Sequence, residues 1–114
     1  MALEVGTFTG YGSICIAEGL SANGKLITIE KDEELSYFHK KYFPLSSHGK
    51  KIQSIIGDSN NIIPKLDEKF DFIFLDAGKK DYETHYEILV EKMNSGAIML
   101  ADNVLWKRDQ AASV

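Results

Sequence analysis

Asp76 follows directly on the apolar run Phe70 to Leu75, and the pair Asp102-Asn103 follows on the run Ala97 to Leu100 with Ala101. If those runs are neighbouring strands, two carboxylates and an amide arrive at one point, and such oxygen donors suit hard cations such as magnesium or calcium. Three protein oxygens would leave an octahedral ion room for substrate and water. At the other end of the chain, Leu3-Glu4-Val5-Gly6-Thr7-Phe8-Thr9-Gly10-Tyr11 reads as an apolar strand running into a glycine-rich turn. With an acidic residue at the strand's tip, that turn suits a nucleoside-bearing cofactor. The glycines Gly6, Gly10 and Gly12 are spaced G-x-x-x-G-x-G, so the G-x-G-x-x-G cradle for a pyrophosphate is not indicated. Glu30 ends the second apolar run, where a carboxylate can accept both hydroxyls of a ribose. Gly57-Asp58-Ser59 ends the third, where a side chain could meet a base edge. Singly, each has a plainer reading: a tight turn, a solvated strand end, an Asx turn after a strand. The ordered set favours ligand binding, and together the two ends suggest a metal-assisted transferase.

Five apolar runs must position these groups: Ala2 to Val5, Leu26 to Ile29, Ile52 to Ile56, Phe70 to Leu75 and Ala97 to Leu100. Stretches with helical spacing separate them, the alternation expected of a doubly wound α/β sheet of about five parallel strands with helices on both faces. Helices are expected over Ser13 to Leu20, closed by Asn23-Gly24, and after a cap at Asp32, where Leu35, Phe38 and Tyr42 share a face and Lys40 and Lys41 meet water. Pro44 and Ser46 to Gly49 end that helix. Asn60 to Leu66 is expected to be a short helix or turn, and Tyr82 to Met93 a longer helix stopped by Asn94-Ser95-Gly96. Cys15, amid Ile14, Ile16 and Ala17, is read as a core residue, and His39, His48 and His85 as surface residues.

The 114 residues suffice for one domain, 1–114, with one apolar core. A formal charge of −4 argues against broad non-specific attraction to nucleic acid or anionic membrane, and no apolar run is long enough to span a bilayer. One cysteine excludes an internal disulfide. The start shows no signal-peptide pattern, so the cytoplasm is the expected compartment. The first run begins at residue 2 and little follows the fifth, which reads as a sheet cut at both ends. An uncovered edge along Ala97 to Leu100 would then favour self-association, a homodimer included.

The runs LEVGTFTGYGS, ITIEKD, GDS with IIP after it, FDFIFLDAGKKDY and LADNVLW, in this order from Leu3 to Trp106, resemble the cation-dependent class I O-methyltransferases that use S-adenosylmethionine. That group includes catechol and caffeoyl-CoA O-methyltransferases and bacterial relatives. The resemblance implies a Rossmann-like fold, here without the family's N-terminal helices and last strands. It implies that Glu4, Gly6 and Thr7 line the methionine part of the cofactor, that Glu30 holds the ribose, that Asp58 and Ser59 lie by the adenine, and that Asp76 and Ala77 flank the sulfonium. It also implies magnesium on Asp76, Asp102 and Asn103, and Lys79 as general base. One departure stands out: where the family has a serine touching the cofactor's carboxylate, this chain has Gly12, leaving Ser13 as the substitute. The acceptor implied is a hydroxylated small molecule with adjacent oxygens; relatives also methylate hydroxylated uridine in transfer RNA. Competing readings are a catalytically silent S-adenosylmethionine-binding fragment and an NAD-dependent oxidoreductase, the latter disfavoured by the missing fingerprint.

Overall fold

Strands form where β-branched and apolar residues run together, and helices fill the intervals between them. The computed structural model describes residues 1–7, 10–75, 86–101 and 104–107, without the side chains of 101 and 104–107. The order is β1 (Ala2–Val5), α1 (Tyr11–Gly19), β2 (Leu26–Glu30), α2 (Ser36–Tyr42), β3 (Ile52–Ile56), α3 (Ser59–Ile62), β4 (Phe70–Leu75), α4 (86–91), β5 (Met93–Ala101) and β6 (Val104–Lys107). They build one sheet in the order β3-β2-β1-β4-β5-β6. The first five strands are parallel, as expected, and β6 runs antiparallel to β5.

That sixth strand corrects the sequence reading. Val104 to Lys107 pairs with Ala101 back to Ile98, so the strand expected to be an open edge is covered on that side. The ground for expecting self-association there is gone. A second correction concerns Asn94-Ser95-Gly96, which lies inside β5 rather than ending the helix before it. Between Phe70↔Met93 and Phe72↔Ile98, two steps along β4 face five along β5, and Gly96 absorbs the irregularity at φ 84°.

The two faces of the sheet differ in chemistry. Leu3, Val5, Ile27, Ile29, Ile73, Leu75 and Met99 alternate onto one face and pack with Ile63 and with Leu89 of α4 into a continuous apolar core. Each such side chain, fully buried, contributes about 1.5–3 kcal/mol relative to exposure. The opposite face carries polar groups in register across three strands: Glu4 of β1 beside Thr28 of β2, and Thr28 beside Ser54 of β3. Helices α1 and α2 both cover this face, since Ser13 bonds to Glu4 and His39 Nδ1 lies 3.2 Å from Ser54 Oγ.

Both helices present a different stripe from the expected one. In α1 the buried line is Ser13 and Ala17, one turn apart, so Cys15 points outward and is exposed. The ICIA segment is apolar on every side, so periodicity gave no orientation. In α2 the buried residue is His39, stacked at 5.2 Å on the buried Phe43 ring, while Tyr37, Phe38 and Tyr42 are exposed. Against the expectation of a surface position, His39 faces inward and is anchored by the Ser54 hydroxyl.

Two contacts fix α1 in place. At its start Gly10 sits at φ 98°, and a Cβ there would lie 2.5 Å from Phe43 Cε1, so only glycine fits. At its end, Lys51 Nζ donates to Ala17 O at 3.2 Å and Leu20 O at 3.1 Å. The helix has no basic residue of its own in its last turn, and Lys51 supplies the missing positive charge from the segment leading into β3.

Candidate functional site

Open parallel sheets bind ligands beyond the carboxyl ends of their strands, and the first three strands of this chain bring Gly6, Glu30 and Asp58 to that edge. Leaving β1, the backbone turns through Gly6 at φ 104°, and Gly6 N and Thr7 N both donate to Ile29 O, at 2.8 and 3.3 Å. Gly10 N then bonds Thr7 O at 3.0 Å, where the chain enters α1.

Beneath this turn lies a buried polar cluster. Ser13 Oγ donates to Glu4 Oε1, and Thr28 Oγ1 donates to the same oxygen at 2.7 Å. Thr7 Oγ1 and Thr28 Oγ1 are 2.6 Å apart. Because the Thr28 proton is committed to Glu4, Thr7 is the donor in that pair. Glu4 is only 3% exposed, so a carboxylate is held in the interior by hydroxyl donors, as burial of a charge requires. Its Oε2 stands 3.1 Å from where a Cβ on Gly12 would be, so any side chain at position 12 would press on the carboxylate.

The expected residues fall into three groups. Glu4, Gly6, Thr7 and Ser13 are brought together with Gly12 around the turn, but Ser13 is fully buried and spends its hydroxyl on Glu4. Its hydroxyl is thus occupied by the carboxylate beneath the turn rather than presented in place of a serine at 12. Glu30 is 6% exposed at the tip of β2, where Oε2 accepts from Asp32 N at 3.1 Å. Asp58 is exposed; its Oδ1 caps α3 by accepting from Asn60 N at 2.9 Å, with Ser59 opening the helix. Asp76, Ala77, Lys79, Asp102 and Asn103 lie outside the described residues. The strands that lead to them are paired, however: Leu75 of β4 is in register with Ala101 of β5.

Thr28 escaped the sequence reading. A lone hydroxyl residue in the apolar strand LITIE, two before its acidic end, was the available signal. Tyr11, 77% exposed on the first turn of α1, ionises above the ordinary 10.0 of a phenol because of its hydrogen bond with Cys15 one turn on and that thiol's charge.

A family model described as O-methyltransferase matches residues 1–113. A catechol O-methyltransferase of Niastella koreensis is 34% identical over 107 residues, covering 90% of this chain and 48% of that protein. A probable caffeoyl-CoA O-methyltransferase of Dictyostelium discoideum is 33% identical, covering 92% and 44% respectively. Among solved structures, the O-methyltransferase TomG from Streptomyces achromogenes, in complex with S-adenosylmethionine, superposes with a TM-score of 0.83 at 29% identity, over 88% of this chain and 47% of that one. The chain spans about half the length of the curated relatives it matches.

Proposed function

The chain belongs to the O-methyltransferase family, and from that membership and the geometry of the β1–α1 turn we propose that it forms the S-adenosylmethionine-binding part of a cation-dependent O-methyltransferase. The observation that carries the reading is the convergence, at the carboxyl ends of β1 and β2, of a glycine turn with two positive φ values and two buried carboxylates, Glu4 and Glu30. A cofactor whose ribose diol lies between a base and a methionine arm fits a carboxylate at the end of β2 beside a glycine turn at the end of β1. Glu30, already oriented by Asp32 N, accepts the ribose hydroxyls; Gly6 and Thr7 line the methionine part; Asp58 and Ser59 lie toward the base.

For the metal, the support is the chemistry of the donor set and the strand register. Asp76 follows Leu75 and Asp102 follows Ala101, and those two predecessors are paired. Two carboxylates and the Asn103 amide suit a divalent hard cation, which when bound would supply a Lewis acid that lowers the pKa of an acceptor hydroxyl. Lys79 takes the proton from that hydroxyl, Ala77 and Asp76 border the sulfonium, and the site holds the acceptor oxygen in line with the methyl group. The acceptor class is a small hydroxylated molecule with two adjacent oxygens.

Methyl transfer to a catechol, assayed with magnesium and after chelation, tests the proposal. Activity that survives complete chelation would remove the cation from the mechanism. Asp102→Ala should abolish magnesium binding in a titration while leaving S-adenosylmethionine affinity within threefold of the parent. An unchanged magnesium affinity would sink the assignment of the metal ligands.

A further inference from the structure

We propose that Thr28 is the positioning residue of the cofactor turn, acting through Glu4 and Thr7 without touching the ligand. The inference rests on the cofactor reading above and adds to it a residue that sets how well the turn is preformed.

Thr28 is fully buried in the middle of β2 and in register with Glu4 of β1. Its hydroxyl both donates to the Glu4 carboxylate, at 2.7 Å, and accepts from Thr7, at 2.6 Å. Ser13 Oγ, from the first turn of α1, shares the same carboxylate oxygen. One side chain on β2 therefore ties together the strand before the turn, the first residue after Gly6, and the helix beyond it. Gly6 has no side chain to fix its own conformation, and its φ of 104° is one a glycine leaves readily when nothing else holds it. Anchoring by Thr7 on one side and Ser13 on the other restricts that freedom before a ligand arrives. Preorganisation of this kind raises affinity by removing an ordering cost from the binding step. Valine has nearly the shape of threonine, but it can neither donate to Glu4 nor accept from Thr7. The buried Thr7 hydroxyl would lose its acceptor on Thr28 and Glu4 would lose one of its donors while keeping Ser13, so the turn would be held less tightly.

The test compares parent, Thr28→Val and Thr28→Ser by amide hydrogen exchange and by calorimetry with S-adenosylmethionine. In Thr28→Val the amides of Gly6, Thr7 and Ser13 should exchange at least tenfold faster, while those of Ile73 and Met99 in the apolar core change less than threefold. The same variant should bind S-adenosylmethionine at least tenfold more weakly, and Thr28→Ser, which restores the hydroxyl, should return to within threefold of the parent in both measurements. Turn amides that exchange equally in parent and Thr28→Val would overturn the positioning role, as would an affinity that stays the same while only the melting temperature falls. A parent chain that shows the exchange pattern but binds no S-adenosylmethionine would overturn the cofactor reading itself. Should Thr28→Val fail to fold, Thr7→Val removes the Thr7–Thr28 bond from the other side; unchanged exchange at Gly6 in that variant would equally refute the inference.

Discussion

Lys51→Met should destabilise the protein by about 1–2 kcal/mol, although Lys51 belongs to no candidate site. Its ammonium donates to two carbonyls at the end of α1, Ala17 O and Leu20 O, at 3.2 and 3.1 Å. A hydrogen bond with a charged partner contributes about 1.5–3 kcal/mol when well shielded, and a cation at a helix C-terminus about 0.3–1 kcal/mol. Two corrections lower the sum. Lys51 is half-buried, so water screens part of the attraction, and Ala17 O keeps a second partner in Leu20 N at 3.2 Å. Methionine keeps most of the aliphatic stem, so packing changes little and the charge is the variable. For a domain of this size about 1 kcal/mol corresponds to about 4–8 °C in melting temperature. Thermal unfolding followed by circular dichroism should therefore show Lys51→Met melting about 5–10 °C below the parent. Lys50→Met, at the exposed neighbouring position, should melt within about 2 °C of it. Equal melting temperatures for the two variants would show that the helix end gains nothing from the lysine, and would refute the dipole argument.

Gly10→Ala should cost more than about 2 kcal/mol, because φ 98° disfavours any side chain and the new Cβ would meet Phe43 Cε1 at 2.5 Å. Urea unfolding measures it, and a second change, Phe43→Leu, should recover part of the loss by opening the space; no recovery would place the cost in the backbone alone. Asp71 is held below the usual carboxylate range by the Asn94 side chain, at 2.9 Å, and then by the chain's amino group. Its folded pKa lies below its unfolded one, so the stabilisation is present above the unfolded value and is lost as pH falls through the folded one. Because Asp71 is largely exposed, the effect should amount to a few tenths of a kcal/mol. Asn94→Ala should flatten the acid limb of the stability profile, and an unchanged limb would contradict the assignment.

Legibility in the sequence tracked how far each signal was local. The five parallel strands announce themselves because Ile, Val, Leu and Phe run together where both faces of the sheet are covered. The carboxyl-end residues Gly6, Glu30 and Asp58 were legible for the same reason, since a strand's end fixes where its next residue goes. Orientation about a helix axis was not. In α1 the segment Ile14-Cys15-Ile16-Ala17 is apolar all round, so the choice of Ser13 and Ala17 as the inner line depends on Glu4 and Thr28 across the gap. In α2 the aromatic residues Phe38 and Tyr42 suggested an inner face, but His39 took it through Ser54, fifteen residues away. Strand β6 was missed because Val104 to Lys107 is short, and its pairing with Ile98 to Ala101 depends on how the chain reverses rather than on composition. Thr28 was invisible as a hub because its partners, Thr7 and Glu4, come from a different strand and its turn.

Strand order carries a consequence for how the chain reaches its folded state. β1 sits in the middle of the sheet, and its neighbours are far off along the chain: Ala2 pairs with Leu26 on one side and with Phe72 on the other. The first pairing closes a loop of 24 residues (26 − 2) and the second one of 70 (72 − 2), which nearly triples the length and adds about 1 kcal/mol of closure entropy. The unit β1-α1-β2 is therefore expected to assemble first and to wait, with one side of β1 unpaired, until β4 arrives. During that wait Leu3 and Val5 lack the Ile73 and Leu75 contacts of the finished core. Non-local pairing of this kind slows folding and prolongs exposure of the apolar strand. Temperature and concentration during refolding should consequently govern yield more strongly than they govern the stability of the finished protein.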